Sequence, residues 1–283
     1  AAFLAVAACA APLTREQREA SLRFVASLQN PDGGYRPAAP AGKSQLGTAP
    51  AVLRVAKYFE GRLPNRDATL KFILDCYDPA TGGFADTPGA APDVRSTAMG
   101  VMALADIQAP RGILQERLRS ASTYFDKNAK SLPEIYIGTA ALNAAGAKSP
   151  SAARWIAAFE ETRTPEGIYG KGGPETARAV NTILRLDGEL KDPQAAARDL
   201  KAAQRPDGGF SASGGASDLP TTYPMMRALF MLKEKPDLAK LRQFVASCRN
   251  ADGGYGPQPG QPSTAGATYN AAIVLHWADE MGR

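Results

Sequence analysis

His276 is the only histidine among 283 residues, so any Ser-His or zinc-His mechanism must pass through it. It sits in "VLHWADE" beside Trp277, a setting that suits packing or capping better than catalysis. The three cysteines, Cys9, Cys76 and Cys248, form no CxxC pair and no Cys/His cluster. This argues against both a disulfide framework and a structural zinc module. Cys76 and Cys248 read as small core residues near helix ends. Carboxylates recur at Asp93, Glu134, Glu175 and Asp218, at steps of 41, 41 and 43 residues. Two such groups could supply the acid and the base or nucleophile of a glycosidase. Each also stands where the first turn of a helix favours negative charge, and even spacing suits capping better than a catalytic pair.

The elements that must position these residues are repeated. "FVASLQNPDGGYRP" (24–37) returns as "FVASCRNADGGYGP" (244–257), and related turns end at Phe84, Gly170 and Phe210. Their first glycines, Gly33, Gly82, Gly167, Gly208 and Gly253, lie 49, 85, 41 and 45 residues apart. The long interval holds two units, one of which has lost its turn between Leu114 and Ala147. Such a turn could cradle phosphate, but it ends a helix, does not join a strand to a helix, and has no P-loop lysine. Asp accepts bonds from the amides that follow and glycine permits positive φ, so the turn reads as structural punctuation, with the aromatic after it inserting between helices.

Before each turn, apolar residues recur at helical spacing, as in Leu241, Phe244, Val245 and Cys248; after it comes a second small, apolar helix, as in "STAMGVMALADI" and "ETARAVNTILRL". Six such units are the signature of an array in which no unit buries its apolar face alone. The first and last turns match, whereas open arrays alter their terminal repeats into polar caps, so a closed ring is expected.

A composition of 44% hydrophobic and 22% charged residues supports a sizeable core. The net charge of +5 is spread along the chain without like-charge runs, and aromatics make up 7%. No nucleic-acid surface is expected. The first twelve residues, "AAFLAVAACAAP", resemble the end of a signal peptide, and "VAAC" resembles a lipobox that would place lipid on Cys9. Export, to the periplasm or to a lipid anchor, is expected over a cytoplasmic location; the alternative is an ordinary apolar helix. Membrane association would then depend on lipidation of Cys9. Residues 13–283 form one domain.

The Q-x-x-DGG-aromatic turn followed by helices such as "PDVRSTAMGVMAL" resembles the prenyltransferase and squalene-oxidase repeat family, especially the β subunits of protein farnesyl- and Rab geranylgeranyltransferases. The resemblance implies an all-α fold, an α/α toroid (α6/α6 barrel) of six helical hairpins around a central cavity. It also implies zinc held by Asp-x-Cys and His, an Arg-x-x-Lys diphosphate clamp, and a helical-repeat partner subunit. On this sequence the zinc positions fall on Thr221, Tyr223 and Asn270, and the clamp falls on Gly215 to Asp218. Neither the D-x-D-D nor the D-D-x-x-D motif of terpene cyclases occurs. No cofactor and no metal are expected.

"DVRS" (93–96) resembles the segment that presents an arginine to the peptide carboxylate in farnesyltransferase, so Arg95 is the leading ligand-facing charge. Its alternative is an ion pair between repeats, and Arg178 and Arg227 carry the same two readings. Tyr136, Tyr223 and Tyr269 are expected in the cavity wall. The function expected is binding of an apolar or isoprenoid-like ligand, or of a protein partner, without zinc-dependent protein prenylation. The alternatives are a prenyltransferase-like transferase with a non-standard site, or an (α/α) barrel hydrolase using the four carboxylates.

Overall fold

The computed structural model describes residues 12–283 except residue 213, so the expectations for Cys9 and the leader-like segment lie outside the described residues. Within them, helices alternate between an outer and an inner layer. The outer helices are α1 (Arg15–Ala26), α3 (Arg66–Asp75), α5 (Arg111–Asn128), α7 (Ala152–Glu160), α9 (Pro193–Ala202) and α11 (Leu238–Ser247). The inner helices are α2 (Ala49–Tyr58), α4 (Val94–Asp106), α6 (Leu132–Ala144), α8 (Pro174–Arg185), α10 (Leu219–Met231) and α12 (Ala265–Gly282). Each inner helix packs on the next in sequence order, and α12 packs back on α2. The ring is therefore closed: an α/α toroid.

The glycine turns act as the joints of this ring. At Gly33, Gly208 and Gly253 the backbone has φ of +85°, +92° and +88°, a region that L residues with a Cβ rarely occupy. A Cβ at Gly33 would lie 2.3 Å from the Ala68 carbonyl oxygen of α3, and one at Gly253 would lie 2.6 Å from the backbone of Ala20 in α1. Each turn thus presses against the outer helix of the following repeat, and the last presses against the first.

The aspartate of the turn is a local hub. Asp32 accepts from the Gly34 amide at 3.0 Å and from Ser44 Oγ at 2.7 Å. Asp207 does so with Gly209 and Ser217 at 3.0 and 2.7 Å, and Asp252 with Gly254 and Ser263 at 2.9 and 2.8 Å. The aromatics that follow the turns, Tyr35, Phe84, Tyr169, Phe210 and Tyr255, are all fully buried. Inner-helix threonines hold their backbone: Thr97, Thr176, Thr222 and Thr268 accept from the amides of Phe84, Tyr169, Phe210 and Tyr255 at 2.9 to 3.2 Å. These donors and acceptors satisfy one another inside the fold, so the turn works as a joint.

The unit that lacks a turn is the third. Its α5 runs to Asn128, and three residues later α6 starts at a capping box in which Ser131 pairs with Glu134.

Candidate functional site

The four recurring carboxylates all sit at the starts of inner helices. Asp93 accepts from the Ser96 amide at 2.7 Å, Asp218 from the Thr221 amide at 2.6 Å, Glu134 from the Ser131 amide at 2.9 Å, and Glu175 from the Lys171 amide at 3.1 Å. Backbone amides and the positive end of the helix favour charge there. Each carboxylate serves as a helix cap or an N-terminal clasp.

Along the toroid axis runs a cavity of about 450 Å³. Its wall is mixed. Pro50 and Ala51 of α2, Met99 and Met102 of α4, and Ile137 and Ala140 of α6 give it an apolar patch, beside which α2 and α4 also place Arg54, Lys57, Arg95 and Asp106. The wall also holds Arg185 of α8, Tyr223 and Arg227 of α10, and Tyr269 and Asn270 of α12, with Tyr136 of α6. The lining is therefore a mixture of apolar, cationic and phenolic groups. The physical reason is helix phase: Arg54, Arg185 and Arg227 fall on the faces of α2, α8 and α10 that turn toward the axis.

Charge in this cavity is only partly balanced. Arg54 Nε donates to Asp106 at 2.6 Å, their side chains 14% and 9% exposed, and burial pushes the Asp106 carboxyl up while Arg54 pulls it down. Arg185 and Arg227 have no carboxylate partner among the described residues, and Arg185 Nε and Nη1 and Arg227 Nε are buried without a hydrogen-bond acceptor. Aromatic faces hold these guanidiniums in place. Arg227 Cζ lies 4.6 Å from the Trp277 ring centre and 5.5 Å from that of Tyr223, and Arg185 Cζ lies 5.7 Å from that of Tyr136.

Tyr269 donates to the Tyr223 hydroxyl at 3.3 Å and accepts from Arg54 Nη1 at 3.4 Å. Burial pushes the Tyr223 phenol up, but Arg227, Arg185 and Arg54 together outweigh burial and bring it down to about 7. Tyr269 goes the other way, raised by burial and then by the neighbouring Tyr223.

The remaining sequence candidates separate. Arg95 is exposed and lines both the axial cavity and an adjoining recess with Asp86, Asp93 and Thr264; no carboxylate pairs with it among the described residues. Arg178 is exposed and lies outside the axial cavity, beside Glu175 and Asp199 in a second recess. Thr221 donates its hydroxyl to Asp218 at 3.1 Å. His276 pairs with Glu280 at 3.1 Å and lies 5.0 Å, ring to ring, from Tyr58. Cys76 and Cys248 are buried at the C-terminal caps of α3 and α11.

Among the described residues no three His, Cys, Asp or Glu side chains come together in a group that could hold a metal. A hydroxyl bound to a capping aspartate, a phenol and an amide make a poor donor set for zinc. Arg54 and Arg185 escaped the sequence reading; the available signal was a lone arginine inside each apolar run, "AVLRVA" and "TILRLD".

The model of the prenyltransferase α-α toroid domain matches residues 1–57, 46–136 and 122–283, and the chain belongs to this family. No curated protein sequence matches the chain. Among solved structures, Candida albicans protein geranylgeranyltransferase-I in complex with GGPP is similar over 82% of this chain and 83% of that one, with 14% identity and a TM-score of 0.68. The type II terpene cyclase MstE from Scytonema is similar over 94% of this chain and 98% of its own, with 13% identity and a TM-score of 0.63. A glycosidase variant in complex with glucose is similar over 95% and 96%, with 16% identity and a TM-score of 0.61. At such identities the likeness is one of fold, and the fold hosts several chemistries.

Proposed function

We propose that this toroid binds a chain-like isoprenoid amphiphile in its axial cavity and does not carry out zinc-dependent protein prenylation. The observation that carries the reading is the mixed wall: an apolar patch of Met99, Met102, Ile137 and Ala140 shares one enclosure of ligand size with the cationic and phenolic groups of α8, α10 and α12. The geranylgeranyltransferase structure similar to this chain holds GGPP, and a variant of MstE similar to it holds geranylgeranyl dihydroxybenzoate. Both are chain-like isoprenoids with a polar end.

A metal or a nearby cation activates a peptide thiol by favouring its thiolate, and Thr221, Tyr223 and Asn270 offer no such support. Gly215 and Asp218, at the positions of the diphosphate clamp, bring a carboxylate in place of cations, which opposes a departing diphosphate. Among the described residues a hydrolase reading finds no free carboxylate pair in the cavity, because Asp106 is held by Arg54 and the other four bond backbone amides at helix starts. Native mass spectrometry of the purified protein with farnesol tests the binding, and incubation with zinc, geranylgeranyl diphosphate and a cysteine-ended peptide tests the absence of transfer. A bound farnesol with no peptide product is expected. Prenylated peptide above background, or no isoprenoid retained, overturns the corresponding half.

A further inference from the structure

Two guanidiniums face the cavity with no carboxylate paired to them among the described residues. Leaving one buried charge without a partner costs several kcal/mol, and here Arg185 and Arg227 each keep buried nitrogens with no acceptor. The other cations of the cavity are differently placed. Arg54 is spent on Asp106, and Lys57 and Arg95 are exposed. The stacking of Arg227 on Trp277 and of Arg185 near Tyr136 holds the two cations without discharging them.

Deepening the isoprenoid reading and resting on it, we propose that Arg185 and Arg227 form the seat of the ligand's acidic end group, a carboxylate or a phosphate, while its chain lies along Met99, Met102, Ile137 and Ala140. This seat lies between α8 and α10, inside the cavity, and is distinct from the loop position at Gly215 to Asp218. A guanidinium presents paired donors to a carboxylate or a phosphate, and such charge-assisted bonds are the strong ones.

Tyr223 reports on the seat. The groups facing it are Arg227 on its own helix, Arg185 from α8, Arg54 from α2 with its partner Asp106, Tyr269 from α12, Tyr136 from α6 and, beyond Tyr58, His276 of α12. Without a ligand the three arginines pull the phenol down to about 7, so near neutral pH the tyrosinate is the anion they have. An incoming acid takes over this role. It repels the phenolate, and Tyr223 takes up a proton as the ligand binds.

Isothermal titration calorimetry at pH 8 with farnesyl diphosphate, farnesoic acid, farnesol and inorganic phosphate tests the proposal. Both farnesyl acids should bind at least about tenfold more tightly than farnesol. That preference should vanish in the Arg185→Gln/Arg227→Gln double variant, the acids losing affinity by a larger factor than farnesol, and should return in part with lysine at both positions. On the unaltered protein, ultraviolet absorbance of tyrosinate should fall as the acid binds, with proton uptake seen in buffers of different ionisation heat. Equal affinity for acids and alcohol overturns the seat and leaves the isoprenoid reading standing. Inorganic phosphate binding that the double variant loses, with no farnesyl compound bound, supports the seat and overturns the isoprenoid reading. No probe bound and an unchanged tyrosinate absorbance overturn the seat outright.

Discussion

Ser21 donates its hydroxyl to the Gly253 carbonyl at 2.6 Å, across 232 residues of chain. The same relationship holds between Thr69 and the Gly33 carbonyl, at 3.0 Å. The joint that closes the ring is thus built like the joint between neighbouring repeats, and Arg249 adds a bond to the Gln17 carbonyl at 3.3 Å. A last repeat can dock on the first without a cap because the first outer helix presents the surface that every turn expects.

Gly253→Ala should break that joint. Its Cβ would meet the Ala20 backbone at 2.6 Å, at a φ of +88°. Positive φ and overpacking together should cost about 3 kcal/mol or more, read as a lower midpoint in urea. Gly112→Ala, in a helix and with open space around it, should instead stabilise by about 0.5–1 kcal/mol.

The Tyr223 phenol, brought down from 10.0 to about 7, should be seen directly as a tyrosinate absorbance that appears near pH 7 and is absent in Tyr223→Phe. Its linkage to stability has a definite sign. Between about 7 and 10 the unfolded chain holds this proton and the folded chain does not, so the contribution is complete above 10 and is lost as pH falls toward 7. The stability difference between the protein and Tyr223→Phe should therefore widen as pH rises through that window.

Cys76 and Cys248 behave oppositely. Burial pushes both thiols from 9.0 up to about 12. The stability they contribute is whole below about 9 and declines as pH rises toward 12, because the unfolded thiols ionise first. Denaturation midpoints should drop in this range. At pH 8 a thiol reagent should label neither cysteine faster than the protein unfolds.

Asp252 accepts from the Gly254 amide and from Ser263, at 2.9 and 2.8 Å. Asp252→Ala strands both donors, each at a cost of about 1–3 kcal/mol, while leaving the cavity side chains untouched. Reduced stability with unchanged farnesol affinity is the expected result. A specific loss of affinity at full stability would show that the turns belong to the ligand site.

The sequence alone determined the architecture, because its signals are local and repeated. A glycine at positive φ with an aromatic two residues after it marks the turn in all five copies, and an aspartate precedes the glycine in three of them, at Asp32, Asp207 and Asp252; five copies with matching ends imply a ring. Cap carboxylates were legible for the same reason, since a cap bonds amides a few residues away. Tyr136, Tyr223, Arg227 and Tyr269 could be named as cavity candidates, but the balance of charge among them could not. Only the closed tertiary structure brings Arg54 of α2 against Asp106 of α4 and Tyr269 of α12, and leaves Arg185 and Arg227 without carboxylates. Helical phase sets which way a lone arginine points, and ring closure sets what it meets; neither pairing is written in any stretch of neighbouring residues.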